Sequence, residues 1–172
     1  MTLLDEIQTE VWHLMMTVYS YQRKVERFSG SVTRHELIDE LVALNALAES
    51  VVIRIARLCD KRKDCRSIRM LLKRGNLGAQ EADTKKVAKE FFMVAEPVVT
   101  LRHEQIAHMK PGKLSSYPLD PLPTEAIAAL EKLVALVDCA RSKTVQYHAS
   151  VGSQEKNVDL RASLQHGKSI AV

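Results

Sequence analysis

The stretch TRHELIDELVALNALAESVVIRIARLC, Thr33 to Cys59, decides how the rest of the chain is read. Thr33 and Glu36 are the two halves of a capping box: the hydroxyl accepts from the third helical amide and the carboxylate reaches back to the cap amide. Behind them Leu37, Leu41, Leu44, Leu47, Val51 and Ile55 recur at three- and four-residue steps. That spacing predicts a helix from about 34 to 59 with one continuous apolar stripe. Such a stripe is stable only when buried against other elements, so the flanking sequence has to supply them.

Upstream, Leu4, Ile7, Val11, Leu14, Met15, Val18 and Val25 keep the same period and predict a first helix over residues 2–28. Thr2 with Asp5 offers its start, and Ser29-Gly30 its end. Downstream, the charged stretch Asp60 to Cys65 reads as a connector. Ser67 to Lys73 reads as a brief helix with Ile68, Leu71 and Leu72 apolar, and Gly75 and Gly78 bracket a turn. A fourth helix runs from about 80 to 110, with Val87, Phe91, Val94, Val98, Leu101 and Gln105 along one face. Pro97 inside it removes a backbone hydrogen bond and crowds the preceding turn, which predicts a kink or a break. Residues 111–123 hold four of the five prolines and read as a loop. A fifth helix starts after a Thr124 cap, carries Ile127, Leu130, Leu133, Val134 and Val137, and fades near His148. The expected fold is all-α: an antiparallel bundle of about four long helices plus a short one, over residues 1–150. Residues 151–172 follow as a polar tail or a short appended helix.

Bulk composition agrees. A chain of 172 residues makes one domain with its own core. Aromatics are 5% of the residues, and Gly and Pro number only six and five, which disfavours sandwiches and barrels. A net charge of +4 and an isoelectric point of about 9.0 permit contact with RNA, DNA or an anionic surface. The cysteines Cys59, Cys65 and Cys139, an odd number without a CxxC, fit thiols in a reducing compartment. No Cys or His pair has close ligand spacing, so neither a metal nor a cofactor is expected. The N-terminal residues lack the pattern of a signal peptide, and no apolar run reaches bilayer length. The expectation is a cytoplasmic chain with no membrane partner.

The segment richest in chemistry is Arg102-His103-Glu104-Gln105-Ile106-Ala107-His108, followed by Met109-Lys110. Arg102 keeps its charge at any working pH and can grip a phosphate through two parallel hydrogen bonds. His108 brings an imidazole, a group whose unperturbed pKa of about 6.5 suits proton exchange near neutrality. Together they suffice to cleave RNA without a metal: imidazole moves the proton and guanidinium stabilises the phosphorane oxygens. Glu104, four residues before His108, shares its helical face and is placed to hold one tautomer of the ring. Six residues of α-helix turn by about 600°, so Arg102 and His108 point roughly 120° apart. Either the helix changes before His108, or the site joins residues of two chains.

An Arg, a polar neighbour, a short spacer with a small residue, and a His near the end of a late helix in an all-α bundle resembles the active-site motif of the HEPN superfamily. The likeness is nearest to members of the abortive-infection and toxin type, and covers about residues 1–150. It implies a metal-independent endoribonuclease that leaves 2′,3′-cyclic phosphate ends. Arg102 and His108 would be catalytic, with His103 as the polar neighbour. It also implies a homodimer with the two motifs face to face, and a toxin or phage-defence component held by a cognate antitoxin. Two departures stand out. Asn is commoner than His at 103, and some toxin members carry a Tyr where this chain has Lys110, so schemes that depend on that Tyr do not transfer.

A second feature is the basic run Arg54, Arg57, Lys61, Arg62, Lys63, Arg66, Arg69, Lys73 and Arg74, opposed within it only by Asp60 and Asp64. Such density can track a nucleic-acid backbone. Arg62, Arg66 and Arg69 would share a face if the segment were helical. With Lys63 and Lys110 they are the expected RNA contacts. Few aromatics interleave, so base stacking is not expected there. The competing reading is a non-catalytic helical module that binds RNA or a protein. His108 would then be a helix-end residue favoured by the macrodipole, Arg102 a solvated surface residue, and the basic run a solvated face.

Overall fold

The capping box at Thr33 forms. The Thr33 amide donates to Glu36 Oε2 at 2.9 Å, and the Glu36 amide donates to Thr33 Oγ1 at 3.4 Å. It opens the helix Arg34–Leu58 in a computed structural model that describes residues 1–28, 33–107, 122–150 and 157–170. Within these residues the chain is mostly helical. The helices are α1 (Leu3–Phe28), α2 (Arg34–Leu58), α3 (Ile68–Arg74), α4 (Glu81–Leu101) and α5 (Thr124–Arg141), followed by strands β1 (His148–Ser150) and β2 (Asn157–Asp159) and by α6 (Leu160–His166). No helix among the described residues is long and apolar enough to cross a membrane.

The apolar stripe of α2 closes over only half its length. Leu44, Val51 and Ile55 are buried, but Leu37, Leu41 and Leu47 are half-covered, and Ile38 and Val42 face outward. Polar contacts fix how the helices run. Lys24 meets Glu40 at 2.7 Å and Arg54 meets Glu10 at 2.8 Å, so α1 and α2 are antiparallel. Glu90 to Lys132 at 2.7 Å and Gln80 to Ser142 at 3.0 Å do the same for α4 and α5. At one end of α1 the Leu122 amide donates to Tyr21 Oη at 3.1 Å, and at the other Arg141 grips Asp5 and Gln8. The Arg141 guanidinium holds the Asp5 carboxyl well below the usual carboxylate range.

Helices α4 and α5 build the centre of the core. Ala88, Phe91, Ala95 and Val98 line the buried face of α4. Ala126, Ala129, Leu130, Leu133, Leu136 and Val137 line that of α5. The alanines keep side chains short, which lets the helices approach, and each of the larger ones contributes about 2–3 kcal/mol by burial.

Three expectations need correction. First, of the kink or break expected at Pro97, the break does not occur: α4 is continuous through it. Pro97 is exposed, and Met93, whose carbonyl loses its amide partner, is 66% exposed, so water can serve that carbonyl. Second, α5 starts at Thr124 itself. The Pro123 carbonyl accepts from the Ala126 amide at 2.9 Å, while the Thr124 hydroxyl turns to Glu125. Third, α5 does not fade toward His148. It stops at Arg141, where Ser142 takes the left-handed conformation and its amide donates to the Cys139 carbonyl at 3.0 Å.

The chain after α5 holds a small antiparallel sheet that helical periodicity did not predict, with Ala149 opposite Val158. Val145, Tyr147 and Ala149 alternate inward with Gln146 and His148 outward. The described part of 151–172 includes the short helix α6, packed on the bundle with Val158, Leu160 and Leu164 in the core. Asp159 caps α6 by accepting from the Arg161 and Ala162 amides, at 2.9 and 3.1 Å. Arg161 ties the unit to α5 through Asp138 at 2.8 and 3.1 Å and through the Val145 carbonyl at 3.0 Å.

Candidate functional site

At Arg102 the backbone of α4 passes from α- to π-geometry, which continues to Ala107. In a π-helix each amide reaches five residues back instead of four, so side chains past Arg102 are displaced from the positions an ideal α-helix would give them. Such segments are rare and gather at functional sites. The change coincides with the motif singled out in the sequence, and it is one of the two ways out of the 120° problem.

The next structural fact is a cleft of about 620 Å³ between two parts of the chain. One wall is the end of α4 and the start of the π segment: Val99, Arg102 and His103. The other is the last turn of α2 and the connector after it, including Arg57, Cys59, Asp60, Lys61 and Arg62. Arg102 is half-exposed and makes no ion pair with any described residue. The lining therefore carries four cations and one carboxylate, and a concave site concentrates that field.

The single carboxylate has a structural task. Asp60 Oδ1 accepts from the Arg62 amide at 2.9 Å, and Oδ2 accepts from Arg62 Nε and Nη2 at 3.1 and 3.0 Å. The Arg62 side chain holds the Asp60 carboxyl below its ordinary pKa. The guanidinium is fixed in direction and remains largely solvent-facing, at 69% exposure. Cys59 lies in the wall, where burial pushes its thiol up to about 12, against a smaller opposing effect of Arg69. It is protonated near neutral pH and offers no thiolate nucleophile.

Of the residues expected from sequence, Arg102, His103 and Arg62 meet in this cleft. Glu104 follows half-buried on the π segment. His108 and Lys110 lie outside the described residues. Lys63 and Arg69 line an adjoining hollow with Lys61, Arg62, Lys73 and Arg74, and the Arg69 guanidinium sits 4.3 Å from the centroid of the Phe92 ring. Arg66 goes elsewhere. It pairs with Glu6 at 2.7 Å and Glu10 at 3.3 Å, on the flank facing α1.

The shared helical face expected of Arg62, Arg66 and Arg69 does not exist. Helix α3 begins only at Ile68, behind a Ser67 cap whose hydroxyl accepts from the Met70 amide at 3.3 Å. Arg57 and Lys61 belong to the basic run but were not singled out from it, and they complete the cleft. Among the described residues no three His, Cys, Asp or Glu side chains gather as a metal-binding set. Comparison with known proteins finds no family model, curated sequence or solved structure that matches this chain.

Proposed function

We propose that the chain is a metal-independent endoribonuclease of the HEPN type. The observation that carries this reading is the convergence of two features chosen separately from sequence. The Arg102-His103 motif and the Arg57-Lys61-Arg62 end of the basic run form opposite walls of one cleft. A phosphodiester drawn into it meets Arg102 on one side and the α2 connector on the other. In the proposed reaction the 2′-oxygen attacks the adjacent phosphorus and gives up its proton to an imidazole. The bond from phosphorus to the 5′-oxygen breaks, and that oxygen receives a proton. The products are a 2′,3′-cyclic phosphate and a 5′-hydroxyl. His108 is assigned the proton transfers and Arg102 the stabilisation of the phosphorane charge. The proposal includes a homodimer with paired motifs, and a role as a toxin or phage-defence component restrained by a cognate antitoxin.

The test is cleavage of single-stranded RNA by the purified full chain in excess EDTA, wild type beside His108→Ala and His108→Gln, with product ends analysed. Cleavage by wild type alone, leaving cyclic phosphate, is the expected result. Equal cleavage by all three proteins, or none over a broad RNA panel, overturns it. Binding without cleavage would leave a non-catalytic RNA-binding module.

A further inference from the structure

The basic run is not one surface, and its division carries information. On the flank facing α1, Arg54 and Arg66 are both neutralised by carboxylates of that helix, Arg54 by Glu10 and Arg66 by Glu6 and Glu10. Arg62 borders that flank, and on its side toward α3 lies a hollow of about 60 Å³ whose lining is six cations and one methionine, with no carboxylate. Lys61 and Arg62 line both this hollow and the cleft that holds Arg102, so the two are continuous.

Local structure keeps the hollow in shape. Helix α3 is anchored by buried Ile68 and Leu71, which turns Arg69 and Lys73, four residues apart, together toward solvent. Stacking on Phe92 steadies the Arg69 guanidinium. Lys73 and Arg74 in the last turn are favoured by the helix dipole, which accounts for those two but not for Lys61, Lys63 or Arg69 beside them. So many like charges around one small space repel each other unless an anion sits among them. The hollow, about 60 Å³, gives a phosphate group room among these cations.

From this continuity we infer a second phosphate subsite. The strand that places one phosphodiester against Arg102 runs over Lys61 and Arg62 and seats a further phosphate among Lys63, Arg69, Lys73 and Arg74. The substrate is then single-stranded RNA extended on that side of the cut by more than a trinucleotide spans, because a stiff duplex cannot lower one phosphate into a recessed cleft while bending a more distant one around its lip. This rests on the ribonuclease reading for what occupies the cleft. It adds the path and the minimum length of the substrate.

The experiment measures binding of fluorescein-labelled single-stranded RNA, a trinucleotide and a 12-mer, to full-length His108→Ala protein, which removes turnover. Lys73→Ala/Arg74→Ala is added on that background. The expected result is about tenfold weaker binding of the 12-mer and unchanged binding of the trinucleotide. The slope of log affinity on log salt should be shallower by about 0.7, the contribution of one phosphate contact. The charge-keeping pair Lys73→Arg/Arg74→Lys should bind as the parent does, and thermal melts of all variants should coincide. Equal binding of the 12-mer by parent and variant, equal losses on both lengths, or tighter binding of a matched duplex overturns the subsite alone. Failure of the parent to bind either length overturns the RNA reading with it. Length-dependent binding without cleavage by wild type overturns only the nuclease.

Discussion

Two regions of this molecule treat charge in opposite ways. Around the ends of α1 and α5, cations are matched: Arg141 with Asp5, Arg161 with Asp138 and Arg54 with Glu10. Around the connector and α3, cations outnumber carboxylates, and Arg102 adds another from the facing wall. The first arrangement holds elements together. The second does little for stability, since clustered like charge opposes folding, and it makes physical sense as a surface for a polyanion. The same residue type, arginine, is thus a staple in one region and, in the proposed function, a contact in the other, and mutation should separate the two roles.

The largest effect is expected at the contact. Arg102→Ala should lower RNA cleavage by about 10²–10³-fold, as for loss of one donor to a developing oxyanion. Its melting temperature should stay within about 1–2 °C of wild type, because the Arg102 side chain is half-exposed and makes no ion pair with a described residue, although its backbone caps α4. A drop of several degrees would make Arg102 a staple and erase the comparison. The converse is Arg161→Met, which strips Asp138 of a half-buried partner. The expected loss is about 2 kcal/mol, or about 4–8 °C, with cleavage per folded molecule unchanged.

Thr33→Ala, which removes the hydroxyl half of the capping box, should cost about 1 kcal/mol in chemical denaturation, with no change in RNA affinity. Arg62→Gln should move stability by no more than about 0.5 kcal/mol while weakening RNA binding and flattening its salt dependence. If Arg62→Gln is instead as destabilising as Arg161→Met, the Asp60 pair is a staple after all.

The last prediction is a pH dependence confined to an alkaline window. Folding raises the Cys59 thiol from its ordinary value near 9 to about 12, so the folded state holds a proton that the unfolded state releases in alkali. The resulting stabilisation is complete below about pH 9 and is lost as pH rises toward 12. Stability against urea should therefore fall between these limits, and Cys59→Ala should fall less steeply over the same window. Parallel curves for the two proteins would show that the thiol is not buried.

Much of the architecture was legible because helices are specified locally. The Thr33 capping box, the stripe of α1 and the glycines after α3 are contacts or breaks within a few residues of one another. The sheet was missed although a signal was present: Val145-Gln146-Tyr147-His148-Ala149 alternates with the period of a strand. That run is short, and its partner Asn157–Asp159 gives only a three-residue pairing. Among the site residues, Arg102 and His103 were legible from their types and spacing. Arg57 and Lys61 were not separable from the other cations, because a run of like charges does not say which members face a cavity.

By itself the sequence determined that the chain would be helical, where most helices would begin, and which segments carried charge and imidazole. Those properties depend on periodicity and on neighbours three or four positions away. Only the tertiary structure decided that Arg66 turns to α1 while Arg62 turns to the cleft, that Pro97 is carried on an exposed face without breaking α4, and that the end of α4 meets the end of α2. These outcomes depend on which surfaces the core brings together, through contacts between residues some forty to sixty positions apart, and no local pattern encodes them.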